Sequence, residues 1–351
     1  MIKNGTFTGK QGKNHIQGMA VDEKRGYLYF SFTTRLIKTK LSGEPVGSVS
    51  GLVGHLGCIC LDPADGRVYG SLEYKHDGIG RGILRSIGAA DTFSDGFYVA
   101  VFDADRITRP DMDAEGDGIM TACFLPEALA DYEGAGFAPD GSPLPHRYGC
   151  SGIDGVCIAP PPGGDPAVRR LYVAYGVYGD VARNDNDHQI LLSYPLDAFL
   201  PAAQPLKQAA PHRAAPAARP EKYFVFTGNT EYGVQNLAYD ATRSLLFMAV
   251  YAGKKPAYQN WDVFAADLTK PAAKTPLRGL AETGAALTLC GADSPEEPNA
   301  GGWRFSYGQY GFCPRPDGTF YIAQPETAGG EQAARVFRFA FDPETGFTRL
   351  T

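Results

Sequence analysis

The densest run of reactive side chains is "EYKHDGIGRG", which sets Glu73, Lys75, His76, Asp77 and Arg81 within nine positions. In an extended strand alternate residues share a face, so Glu73 and Lys75 point one way while Tyr74 and His76 point the other. A carboxyl such as Glu73 or Asp77, its pKa raised by burial, can act as a general acid, with His76 as base or orienting partner. A second run, "YGDVARNDNDHQ", brings Asp180, Asn184, Asp185, Asp187 and His188. Cleavage of a glycosidic bond uses two carboxyls flanking the scissile bond. Asp180 opposite Glu73 or Asp77 would supply them, and the expected catalytic set is Glu73, His76, Asp77, Asp180 and His188. Both runs also read as polar, salt-bridged loops.

The groups expected to hold a ligand are cationic, amide-bearing or aromatic. "AGKKPAYQNW" contributes Lys254, Lys255, Tyr258 and Trp261; Lys75, Arg147, Tyr148, Gln235, Asn236, Arg304 and Tyr307 join them from other loops. Rings beside amides and cations suit a sugar, and the cations leave room for an acidic one. His15, His55, His146 and Gln235 form a possible ligand set for a divalent ion such as Mn, Zn or Ca, since neutral imidazole suits transition metals. Such an ion would act as Lewis acid in an elimination. The same histidines read equally as partners of water or backbone across a channel. "DMDAEGDG" resembles a calcium loop, but Ala122 stands where the EF-hand pattern requires Glu. It reads as a structural Ca²⁺ loop or as solvated acids. The chain has no GxSxG elbow, Walker loop, HExxH or dinucleotide fingerprint, which counts against serine hydrolase, zincin and nucleotide-cofactor chemistry.

What positions these groups is a repeat. "HIQGMAVDEKRGYLYFSF" begins at His15, and "HLGCICLDPADGRVYGSL" begins at His55; each sets His seven residues before Asp, then a turn and an apolar–aromatic run. Further copies begin at "YGCSGIDGVCIAP", "YGVQNLAYD" and "YGQYGFCPRPDGTFYIAQPE". Third strands follow at "RLIKTKL", "FYVAVFDADRI", "QILLSYPLDAF", "WDVFAADL" and "RVFRFAFD". Fourth strands read at "PVGSVSG", "MTACFL", "KYFVFTG" and "ALTLCG". Four antiparallel strands repeated about an axis resemble the β-propeller superfamily, without WD or kelch signatures. The expected fold is all-β: a single five-bladed domain over 1–351, four strands per blade, closed by the N-terminal strand "NGTFTG". A pair of β-sandwiches is the alternative. Helix formers concentrate only in "PEALADYEG" and "DAFLPAAQPLKQAA".

Because strands alternate in direction, the loop leading into each first strand and the loop between second and third strands share a face. Five of the six histidines fall there: His15, His55, His76, His146 and His188. The opposite turns, "DEKRG", "DPADG" and "DATRS", are ordinary turn chemistry. The resemblance implies a polar pit at the channel mouth, as in five-bladed propellers that act on carbohydrates. The expected function is therefore a carbohydrate-active enzyme cleaving a glycosidic bond, by hydrolysis rather than metal-assisted elimination. The alternative is a non-catalytic carbohydrate- or protein-binding propeller. Replacing His55 or Glu73 by Ala is expected to stop turnover and spare folding.

The net charge of −6 and the lack of a basic patch exclude nucleic acid as a main partner. No apolar run reaches membrane-span length, and the N-terminus lacks a signal-peptide pattern. The seven cysteines form no CxxC pair and read as reduced, buried thiols in a cytoplasmic protein. A small-molecule or oligosaccharide substrate is expected, and the oligomeric state is left open.

Overall fold

The computed structural model describes residues 2–91, 93–138, 140–297 and 300–351. Five largely antiparallel sheets stand around one axis, in the order of the five repeats. Nearest the axis run Gly18–Asp22, His55–Leu61, Cys150–Ala159, Thr230–Asp240 and Phe312–Pro314. Each of these touches the inner strand of the next blade, and Phe312–Pro314 touches Gly18–Asp22, so the ring is continuous. The protein is a five-bladed β-propeller.

The second strands explain why their sequences lack a clean polar alternation. Tyr27–Phe32, Arg67–Tyr74 and Arg170–Val177 each have a neighbouring blade on both faces, so "YLYFSF" and "RLYVAYGV" are buried almost throughout. Acidic turns fasten the first two strands. Asp22 Oδ1 accepts the Arg25 N–H (2.9 Å), Asp62 Oδ1 that of Ala64 (2.9 Å) and Asp240 Oδ1 that of Thr242 (2.9 Å). These Asx-type bonds mimic a backbone turn, which is why Asp recurs in the repeat.

The outer edges depart from strict repetition. Thr6–Phe7 pairs with Val336 and Arg335, while Gly346–Arg349 covers the other half of the same strand, Glu331–Asp342. Both ends of the chain therefore share the outer edge of blade five. Met112–Asp113 runs parallel to the outer strand of blade one, and Thr283–Ala286 runs parallel to that of blade three. In blade four the fourth strand is Gly302–Trp303 rather than "ALTLCG". Within that segment, Ala286 ends the strand added to blade three and Leu289 makes one bridge to Ala266. Buried Leu287 and Leu289 fill the interface between blades three and four, and that burial outweighs a regular fourth strand.

Helix appears where expected at Pro126–Glu133 and, in brief, at Leu196–Phe199. Gly78–Ile87 is a helix inside the segment read as a loop. Asp77 caps its start by accepting the Gly80 N–H, and Gly88 ends it in the left-handed region. Burial of Ile83 and Leu84 offsets the poor helix propensity of three glycines.

The axis itself is closed below the upper face. A Cβ on Gly18 would lie 2.8 Å from Ile59 N and 2.9 Å from Cys58 Cα, so the inner strands of blades one and two meet only because residue 18 has no side chain. Asn236 spans the ring from blade four, its Nδ2 donating to Gln17 O (2.8 Å) and Gln309 O (3.0 Å). Asn236→Ala would orphan two buried carbonyls, at roughly 1–3 kcal/mol each. We expect denaturant titration to register a loss of about 2–4 kcal/mol; a loss under ~0.5 kcal/mol would mean that Asn236 does not hold the ring.

Candidate active-site pit

On the face of the leading loops, the axis opens into a cavity of about 300 Å³. Its walls include His15 from blade one, His55, Glu73 and Lys75 from blade two, and Asp154 from blade three. Tyr232, Gln235 and Tyr251 come from blade four. The inner strands are irregular here: pairing slips between Leu56 and Ile59, between Ile153 and Val156, and twice between Glu231 and Asn236. Such bulges re-aim side chains that regular alternation would place elsewhere. Asp154 lies inside one of them.

The charged floor is organised around Glu73. Its Oε1 lies 2.6 Å from Lys75 Nζ and 3.3 Å from His55 Nδ1, the latter outside hydrogen-bond alignment; its Oε2 accepts the Ile153 N–H at 3.1 Å. Burial alone would raise this carboxyl, but Lys75 and His55 outweigh it and hold Glu73 below the ordinary carboxylate value. Lys75 is held above its ordinary value by Glu73 and Asp77 despite its own burial. Nζ also donates to Ser151 O at 2.8 Å. His55 is raised in the same way, with Glu73 and Asp154 overcoming burial.

Asp154 is the exception. It is 8% exposed, and its Oδ1 has no protein partner. Burial pushes its carboxyl up to about 7; His55 pulls against this and Glu73 reinforces it. Room for the carboxylate comes from Gly57, where any Cβ would overlap Asp154 Oδ1. His15 is held below its ordinary value by burial and by His55, so it is neutral near pH 7. The Gln17 side-chain amide lies 3.2 Å from His15 Nε2. Two carboxyls in one pit are thus driven in opposite directions, the pattern that separates a proton donor from a permanent anion.

Of the residues singled out in the sequence, the pit gathers His15, His55, Glu73, Lys75 and Gln235. The others lie elsewhere. Asp77 caps the helix, accepts the Tyr178 hydroxyl (3.1 Å) and sits 3.5 Å from Lys75 Nζ behind the pit wall. Asp180 is exposed and closes a turn with the Ala182 N–H, so it does not oppose Glu73. His76 lies between Asp91 and Asp95, 2.6 Å from each. His146 contacts Tyr132 O through Nδ1 at 2.6 Å and lines a separate cleft with His76 and Asp77. The quartet of His15, His55, His146 and Gln235 is therefore not assembled. Among the described residues, no group of three or more His, Cys, Asp or Glu is arranged to hold a metal.

His188 is buried against Phe224 and Phe226, and desolvation lowers it to about 4. Lys255 is consumed by Asp187 and Asn186, Asp187 also taking the Tyr258 hydroxyl, while Arg183 pairs with Asp185. These contacts fasten the acidic loop to itself and to blade four. Lys254 pairs with Glu231 at the surface. Arg304 lies over Trp261 and donates to Gln259 O and Asn260 O, and Tyr307 packs edge-on to Phe305. Arg147 rests on Tyr148 and pairs with Glu282 at 2.9 Å. It lines a larger flank cleft of about 700 Å³, where it and Asp185 have protein partners. The "DMDAEGDG" carboxylates likewise accept local N–H groups or pair with Arg35 and Arg109.

Asp154 was missed, although a lone acid inside the apolar strand "CSGIDGVCIA" is a visible signal. Tyr232 and Tyr251 carried no such mark.

No family model matches the chain, and neither does any curated protein. Among solved structures, one described as "Structure of Dos1 propeller" aligns at 10% identity over 96% of this chain and 70% of that one, with a TM-score of 0.39. Among the described residues, no helix is long and apolar enough to cross a membrane.

Proposed function

We propose that the protein is a carbohydrate-active hydrolase that cleaves a glycosidic bond in the axial pit. One observation carries the reading: Asp154 lines the floor of a polar cavity, and burial pushes its carboxyl up to about 7. Asp154 gives its proton to the leaving oxygen as the C–O bond breaks. Water forms the new bond to the anomeric carbon, and its proton passes to His15 Nε2 in place of the Gln17 contact. Glu73 stays ionised and stabilises the positive charge that develops on the sugar ring. Solvent then carries the proton from His15 back to Asp154.

This assignment exchanges the anticipated partner Asp180 for Asp154 and reverses the general-acid role expected of Glu73, whose carboxyl Lys75 and His55 hold below its ordinary value. Hydrolysis is favoured over elimination because His146 lies outside the pit, which leaves the proposed metal set incomplete. The seven free cysteines fit a reducing, cytoplasmic setting.

The test is turnover of a panel of aryl glycosides, followed on the responding sugar with Asp154→Asn. A loss of about a hundred- to ten-thousandfold in kcat with KM retained is expected. If wild-type protein binds sugars and turns none over, the protein is a binding module and the enzyme reading is lost.

A further inference from the structure

The pit has one opening and a closed floor. Below it, the inner strands of blades two and four touch across the axis. The Ser31 hydroxyl donates to Gly57 O (2.6 Å) and that of Ser71 to Asp154 O (2.6 Å). A Cβ on Gly155 would lie 2.9 Å from Val234 Cγ1, so even a methyl group fills the space between blades three and four. Nothing as wide as a sugar passes through this level.

The lining is graded with depth. Glu73, Ser151 and Asp154 are almost fully buried at the floor, whereas Ile79 is 40% and Tyr232 46% exposed at the rim. Tyr232 also holds φ 61°, a conformation disfavoured for a bulky aromatic residue. Such strain persists where the surroundings impose it and points to a constrained role. Here the Tyr232 carbonyl accepts the Gln235 amide (3.0 Å) and its ring meets Tyr251 edge-on. The ring therefore stands exposed at the mouth while the reactive groups lie buried at the floor. At about 300 Å³ the cavity is at the small end of ligand pockets, roughly 300–1,000 Å³.

Building on the hydrolase reading, we infer that the pit takes the end of a saccharide chain and releases its terminal unit, with Tyr232 and Ile79 stacking on the next ring. An internal segment would have to leave the pit on both sides, and the closed floor allows only one. Tyr232 is thus a binding residue for the second sugar and not for the first.

Thermal shift is measured first with methyl glycosides of common neutral sugars and uronates, then with linear tri- to hexasaccharides of the same sugars. Products from any oligosaccharide that is cut are sized by mass. The expected result is a shift with one methyl glycoside and release of single units only. Tyr232→Ala should weaken oligosaccharide binding about tenfold while monosaccharide binding holds. Binding confined to longer chains, or cuts at internal bonds, would overturn the chain-end inference and leave the carbohydrate reading standing. No shift with any sugar of either length would instead remove the carbohydrate reading, and the inference with it.

Discussion

Asp154→Asn should make the protein more stable at pH 8 than the wild type, and the advantage should vanish near pH 4. The sign follows from the raised carboxyl. Folding lifts Asp154 from its ordinary 3.8 to about 7 through burial, so between those values the folded state holds a proton that the unfolded state has lost. Its contribution is complete below about pH 4 and disappears as pH rises through about 7. Three units at 1.36 kcal/mol each set a ceiling of about 4 kcal/mol. Asn is isosteric with the neutral acid and does not titrate. Groups remote from the pit titrate in both proteins and cancel in the difference, while His55, which ionised Asp154 helps to raise, adds a smaller part of its own. Urea unfolding from pH 4 to pH 8.5 gives that difference directly. A constant offset across the range would show that Asp154 is ionised in the folded protein and would remove the proton donor from the proposed mechanism.

The sequence carried the ring more fully than the site. Repeated Asp turns and apolar second strands follow from local rules, so blades are readable from spacing alone. His15 and His55 were legible for the same reason: they stand at equivalent positions of the repeat, seven residues before Asp22 and Asp62, and meet in one cavity. Asp154 was legible as a lone acid in an apolar strand, but its aim into the pit was not, because it projects from a bulge that shifts strand register, and a bulge leaves no compositional trace. Residues in long loops misled in the opposite direction. Asp180, Asp187, Lys255 and His146 have the right chemistry, but each has a local partner that satisfies it away from the axis. Spacing cannot reveal that kind of pairing. Helix Gly78–Ile87 was hidden by its glycines, although Asp77 before it and Gly88 after it are legible caps.

Lys75→Met should cost about 3–5 kcal/mol, and so should Glu73→Gln or Glu73→Ala, whereas Glu73→Gln combined with Lys75→Met should recover much of the loss. The geometry leads to a prediction opposite to the expectation from sequence that Glu73→Ala spares folding. Glu73 and Lys75 are both nearly inaccessible, 2.6 Å apart, with Asp77 and His55 completing the group. Removing either partner leaves a buried charge whose desolvation is no longer compensated. Removing both exchanges two buried charges for neutral groups, at the cost of the Lys75 contacts to Ser151 O and Asp77 and the Glu73 contact to His55. The double-mutant cycle therefore isolates the pair from the separate loss of Ile153 and Ser151 hydrogen bonds. A coupling energy above ~1.5 kcal/mol is expected; near-additive losses would mean that water screens the pair. The same series separates folding from catalysis. The double variant, folded but without its buried anion, should retain sugar binding and lose turnover, because in the proposed mechanism Glu73 acts on charge that appears only in the transition state. Full turnover in that variant would place the stabilising charge elsewhere and reduce Glu73 to a structural partner of Lys75.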